Sequence, residues 1–126
     1  MTKSAIVSPK LAPPAGPFSQ AIQCNGFIYL SGQVGQNPAT GKLVEGGVAA
    51  EAEQVFKNMG AVLEAAGKTF ADVVQVRVFL TSISDYAAVN AIYAKQFSAP
   101  YPARTAVAVA ALPLGASFEA DLVAAA

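Results

Sequence analysis

Apolar and polar positions along the chain follow two distinct periods. From Gly47 to Ala66 the residues Val48, Ala52, Val55, Met59, Val62 and Ala66 alternate spacings of four and three. That pattern places them on one stripe of a helix. Phe56 and Leu63 widen the stripe, while Glu53, Lys57 and Glu64 lie off it. Gly67 follows where a glycine can take the left-handed conformation and end the helix. Val73 to Leu80 changes period: Val74, Val76 and Val78 alternate with Gln75, Arg77 and Phe79, which predicts a strand with one buried face. A second helix is expected after Ser84, placed to N-cap it, with Asp85 in its first turn favourable to the helix dipole. Tyr86, Val89, Tyr93 and Phe97 form its apolar stripe, and Pro100 and Pro102 prevent continuation.

Ser19–Gln23 and Phe27–Gln33 read as two strands joined by Asn25-Gly26, the favoured dipeptide for a tight hairpin turn. Ala5–Val7 reads as a short strand, and Pro38-Ala39-Thr40-Gly41 as a further turn. Arg104–Ala111 and Ser117–Val123 complete a pair of strands separated by Leu112-Pro113-Leu114-Gly115. The order strand, strand, helix, strand, helix, strand, strand implies an α+β two-layer sandwich, a mixed sheet carrying both helices on one face. A right-handed crossover is expected wherever the strands flanking a helix are parallel. Without repeat, linker or low-complexity tract, residues 1–126 are expected to form a single domain.

Composition narrows the chemistry. Hydrophobic residues make up 54% of the 126 and charged ones 13%, against about 25% charged in an average soluble domain. Apolar surface left over after core formation favours an oligomer. Eight basic and eight acidic side chains cancel, so no electrostatic footprint for nucleic acid or an anionic membrane is present. The first residues run into Pro9 and Pro13-Pro14 without an apolar core, so no signal peptide is expected. No apolar run approaches the ~20 residues of a bilayer span, and the cytoplasm is the expected compartment. The absence of histidine excludes Ser-His-Asp and Cys-His nucleophile pairs and histidine metal ligands. A single cysteine, Cys24, excludes an intrachain disulfide and multi-cysteine metal sites, and reads as a small buried hydrophobe. No phosphate-binding or dinucleotide motif occurs.

Few groups remain. Arg104 begins a strand otherwise small or apolar apart from Thr105, and is either a snorkelling surface residue or an anchor for an anion. Glu119 sits mid-strand between Phe118 and Ala120. It either pairs with Arg104 or Arg77, or faces a cleft where burial would raise its pKa and a neighbouring arginine would lower it. Gly32, in Ser31-Gly32-Gln33, marks either a bulge or a close approach by a ligand or backbone.

Several separated motifs, in order, resemble the RidA (YjgF) family: Gly16-Pro17-Phe18-Ser19-Gln20-Ala21, Ser31-Gly32-Gln33, Asn37-Pro38-Ala39-Thr40-Gly41, Glu64-Ala65-Ala66-Gly67, Asp85-Tyr86-Ala87-Ala88-Val89-Asn90, Pro102-Ala103-Arg104-Thr105-Ala106-Val107, then Leu112-Pro113 and Phe118-Glu119-Ala120. The resemblance covers nearly the whole chain. It implies a chorismate-mutase-like fold, a homotrimer with clefts between subunits, and hydrolysis of reactive 2-enamine/2-imine acids to 2-keto acids and ammonia, without metal or cofactor. Under it Arg104 would clamp the substrate carboxylate, and Glu119 would orient water and relay its proton. Phe18, Ser31, Gly32, Asn90 and the backbone at Ala106 would shape the cleft. Two positions depart from the family's pattern: Phe18 stands where tyrosine is frequent, and Ala106 where cysteine is. A carboxylate-binding or regulatory protein using the same cleft without turnover is the alternative. A translation-inhibitor or ribonuclease role, under which some relatives are labelled, fits poorly with zero net charge and no histidine.

Overall fold

The computed structural model describes residues 2–126. Its elements run β1 (Ser4–Ile6), β2 (Ala21–Cys24), β3 (Phe27–Val34), α1 (Gly47–Ala65), β4 (Val73–Leu80), α2 (Tyr86–Ala94), β5 (Ala103–Ala108) and β6 (Phe118–Ala125). Short 3₁₀ turns precede β4, α2 and β6. All six strands form one mixed sheet in the order β1-β2-β3-β6-β4-β5. Only β4 and β5 pair in parallel, and α2 connects them. The two-layer α+β arrangement of the sequence analysis is therefore the architecture observed.

The helix stripe lies where its periodicity placed it. Ala52, Val55, Phe56, Met59, Val62 and Leu63 are buried against the sheet, and Glu53, Lys57 and Glu64 are exposed. The helix closes through paired bonds at its C-terminus: Gly67 N–H donates to the Glu64 carbonyl and Lys68 N–H to that of Leu63, both at 2.9 Å. On the sheet side, Ile28, Val76, Val78, Phe118, Ala120 and Leu122 complete the core. Phe56 anchors it, with Phe70, Tyr93, Phe97 and Phe118 centred between 5.9 and 6.2 Å away.

Four local expectations are corrected. β5 and β6 do not pair; β6 inserts between β3 and β4, antiparallel to both, and leaves β5 at the edge. Strand order is set by long-range burial, to which local pattern is blind. Ser84 does not cap α2: it lies inside a 3₁₀ turn, its Oγ 2.6 Å from that of Ser82, and Asp85 at the cap position makes no side-chain bond. Phe97 is buried but lies beyond the end of α2. Cys24 is half-buried, not in the core.

The sheet face away from the helices is bare of any second layer. Cross-strand rows there read Tyr29–Val123–Gln75, Asp121–Arg77–Thr105 and Glu119–Phe79–Val107. Phe27, Tyr29 and Val107 are exposed on it. Among the described residues no helix is long and apolar enough to cross a membrane.

Candidate functional site

Strand alternation decides where each candidate side chain points. In β6, Phe118 and Ala120 are fully buried under the helices, so Glu119 projects to the opposite, open face. There its neighbours in register are Val34 of β3 and Phe79 of β4. The β3–β6 register shifts between Leu30 and Gln33, so the ladder bulges at Ser31-Gly32. A Cβ at Gly32 would stand 2.5 Å from Glu119 Oε2. The bulge reading of this glycine holds; the close approach is made by a side chain instead of a backbone or ligand, and the missing Cβ leaves a notch that seats the Glu119 carboxyl.

This carboxyl faces a cavity of about 520 Å³ lined by Phe18, Ser31, Gly32, Leu114 and the Pro13-Pro14 segment. Ser31 Oγ donates to the Ser19 carbonyl at 2.6 Å, and Ser31 N–H donates to the Gln20 carbonyl at 3.0 Å, tying the wall to β3. Gln20, itself buried, holds the N-terminal segment by accepting from Ser8 N–H at 2.7 Å. Phe18 is exposed at the cavity mouth, as is Leu114 in its left-handed turn. Burial, followed by the charge of Asp121 two residues along the same face, raises the Glu119 carboxyl above its ordinary value. Among the described residues Glu119 forms no ion pair; Arg77 is engaged by Asp121 through two bonds of 2.9 and 2.6 Å. The structural ion pair considered for Glu119 is thus made by its neighbour instead.

Arg104 belongs to a second cluster. It stands in register with Val76, which is fully buried beneath the helices, so its side chain leaves the sheet on the helix face. There Nη1 donates to Asn90 Oδ1 and Nη2 to Tyr86 Oη, each at 2.7 Å. The guanidinium carbon lies 4.7 Å from the Tyr93 ring centroid and 5.4 Å from that of Tyr86. Burial raises the Tyr93 hydroxyl above its ordinary value, and the Arg104 charge partly opposes that rise. Ala106, two residues on, faces the same way and packs against the core.

The candidate residues therefore divide. Phe18, Ser31, Gly32 and Glu119 share one cavity; Arg104, Asn90 and Ala106 gather at the β5 edge on the other side of the sheet. Among the described residues no group of three His, Cys, Asp or Glu side chains could hold a metal ion. Tyr86, Tyr93, Gln20 and Asp121 carry no role in the sequence analysis beyond apolar pattern or motif. A signal existed for two of them: Tyr86 and Tyr93 bracket Asn90 at helical spacing, on the helix that leads into Arg104's strand.

Comparison with known proteins bears on the whole chain. The family model described as Endoribonuclease L-PSP matches residues 9–126. A human protein named 2-iminobutanoate/2-iminopropanoate deaminase is 49% identical over 120 residues, covering 94% of this chain and 88% of that one. A Dermatophagoides farinae protein of the same name is 44% identical over 122 residues, covering 96% and 95%. The crystal structure of RidA from an Antarctic Psychrobacter superposes with a TM-score of 0.92 at 43% identity, covering 98% of this chain and 99% of that one. Motif order, sheet topology and full-length similarity converge, and the chain belongs to the endoribonuclease L-PSP family that includes the RidA proteins.

Proposed function

We propose that the protein hydrolyses reactive 2-enamine and 2-imine acids to 2-keto acids and ammonia. The observation that carries this reading is the Glu119 carboxyl, paired with no cation among the described residues, raised above its ordinary value and seated in the Gly32 notch against the cavity. Such a group can hold water and exchange protons with it. Arg104 supplies the complementary part, a fixed guanidinium able to take a carboxylate through two parallel bonds. The names carried by the human and mite relatives support the same chemistry.

In the proposed reaction Arg104 binds the substrate carboxylate and orients the adjacent C=N carbon. Water held by Glu119 adds to that carbon, and its proton passes through the carboxyl to nitrogen. The resulting carbinolamine loses ammonia and leaves the keto acid. Phe18 brings a ring but no hydroxyl to the cavity mouth, so water placement rests on Glu119.

A substrate of a few atoms cannot touch both groups in one chain, because Arg104 and Glu119 leave opposite faces of the sheet. We infer that the site is completed between subunits, in a homotrimer of chorismate-mutase-like form with each chain a single domain. The bare sheet face bearing Phe27, Tyr29 and Val107 supports such an assembly, since large exposed apolar patches mark association surfaces. The substrate is then a small acid taken without nucleic acid or membrane, and the compartment the cytoplasm.

The test generates 2-imino acids in situ with an amino-acid oxidase and traps escaping imine with semicarbazide. Protein-dependent loss of the trapped signal, abolished by Arg104→Ala, is expected. An unchanged signal across several side chains would overturn turnover and leave carboxylate binding as the function.

A further inference from the structure

We propose that Tyr86 is a positioning residue for the carboxylate clamp: its hydroxyl fixes the Arg104 guanidinium so that one edge stays open to a two-oxygen anion. This inference rests on the reading of Arg104 given above. Arginine is long, with several rotatable bonds, and one on an edge strand would ordinarily sample many rotamers. Each capture of a carboxylate would then have to order it first, which weakens binding. Here α2 removes that freedom in advance. Tyr86, Asn90 and Tyr93 lie on one helical face, and each constrains the guanidinium differently. Asn90 Oδ1 takes a proton from Nη1 and Tyr86 Oη takes one from Nη2, while the Tyr93 ring lies 4.7 Å from the guanidinium carbon.

Two acceptors on separate nitrogens set the rotation of the fork within its plane, and a ring beside it limits tilt. Two of the five N–H groups of an arginine are so engaged, and three stay available, enough for a bidentate carboxylate. Asn90 alone would leave the fork free to pivot about a single bond. The Tyr86 hydroxyl is the second point, and it must act as acceptor, because a guanidinium has no lone pair to offer.

Tyr86→Phe keeps the ring and removes only this acceptor. Two readouts are needed: calorimetric affinity for 2-oxobutanoate, a stable acid with a carboxylate beside a carbonyl, and steady-state kinetics on 2-iminobutanoate formed in situ. The variant is expected to bind 2-oxobutanoate about 3–10-fold more weakly and to raise KM by a similar factor, with kcat within about twofold, because the clamp acts alike on ground and transition states. A role in folding alone would lower Tm and the active fraction, and so kcat, without moving KM. In an Arg104→Lys background the same substitution is expected to change nothing beyond about twofold, since an ammonium presents no fork to align.

Unchanged affinity and KM in Tyr86→Phe, or an equal effect in both backgrounds, would overturn the proposal. If the parent protein turns over imine and Tyr86→Phe matches it, positioning fails and the deaminase reading stands. If the parent binds 2-oxobutanoate without turnover and Tyr86→Phe weakens binding, positioning stands and the deaminase reading fails. No binding and no turnover by the parent would overturn both.

Discussion

Gly32→Ala separates the chemistry of Glu119 from its contribution to the fold. The added methyl would lie 2.5 Å from Glu119 Oε2, 3.2 Å from Cδ and 3.6 Å from Cγ. Carbon–oxygen contacts settle near 3.3 Å or beyond, so the carboxyl must retreat by roughly 1 Å. It can do so, because the crowded atoms are the end of a flexible side chain rather than backbone. Gly32 is also absent from the residues with positive φ, so alanine meets no backbone penalty there. Displacing Glu119 from its preferred rotamer costs about 0.5–1.5 kcal/mol, a fall in Tm of roughly 2–9 °C. The same movement takes the oxygen proposed to hold water out of line. A misplacement of about 1 Å can cost on the order of 100-fold in rate, or about 2.7 kcal/mol of transition-state stabilisation. The assay is kcat/KM for 2-iminobutanoate, set beside thermal unfolding of the same preparation. Activity within about threefold of the parent would refute the reasoning, since Glu119 would then work from a position the notch does not set. A Tm loss well beyond 10 °C would refute it differently, by showing that the backbone had moved instead of the carboxyl.

Arg104→Ala, which would delete the two charge-assisted bonds proposed for the substrate carboxylate, is expected to lower kcat/KM by about 10²–10⁴-fold with the sedimentation coefficient unchanged; near-parent kcat/KM would remove carboxylate capture. Glu119→Gln is expected to lower kcat by about 10²-fold or more while moving KM less, and an unchanged kcat would deny Glu119 a part in proton transfer. Glu119→Gln also carries a pH signature. Because folding raises the Glu119 pKa, its neutral form is the one favoured in the folded state; that stabilisation is complete below the unfolded value, about 4.3, and lost as pH rises through the folded one. The permanently neutral glutamine should therefore raise Tm at pH 7 and show no advantage near pH 3, and thermal scans at the two pH values check it. Phe56→Ala, which opens the centre of the aromatic cluster, is expected to cost about 3–5 kcal/mol and at least about 10 °C in Tm by calorimetry, whereas a loss under about 1 kcal/mol would mean that the core refills the space.

Local pattern carried most of the elements. The β4 limits, the Asn25-Gly26 hairpin and the α1 stripe with its Gly67 terminus depend on neighbours a few residues apart, and all appear as read. Arg104 and Glu119 were conspicuous for a related reason: charged groups inside otherwise apolar strands need an explanation wherever those strands lie. Strand order was not legible. β6 enters between β3 and β4 because there it is covered by helices on one face and paired along both edges, a global minimum that no window of residues encodes. The partners followed from that order. Arg77 meets Asp121 across 44 residues, which frees Glu119 from the pairing that composition allowed. The division of the candidates is also tertiary in origin: alternation puts alternate side chains on opposite faces, but only the register on Val76 and Phe79 shows that Arg104 and Glu119 take different ones. Tyr86 illustrates the boundary. Its place on an apolar stripe was readable from spacing, and its hydroxyl became a partner for Arg104 only once a parallel β4–β5 pair laid α2 beside the edge strand.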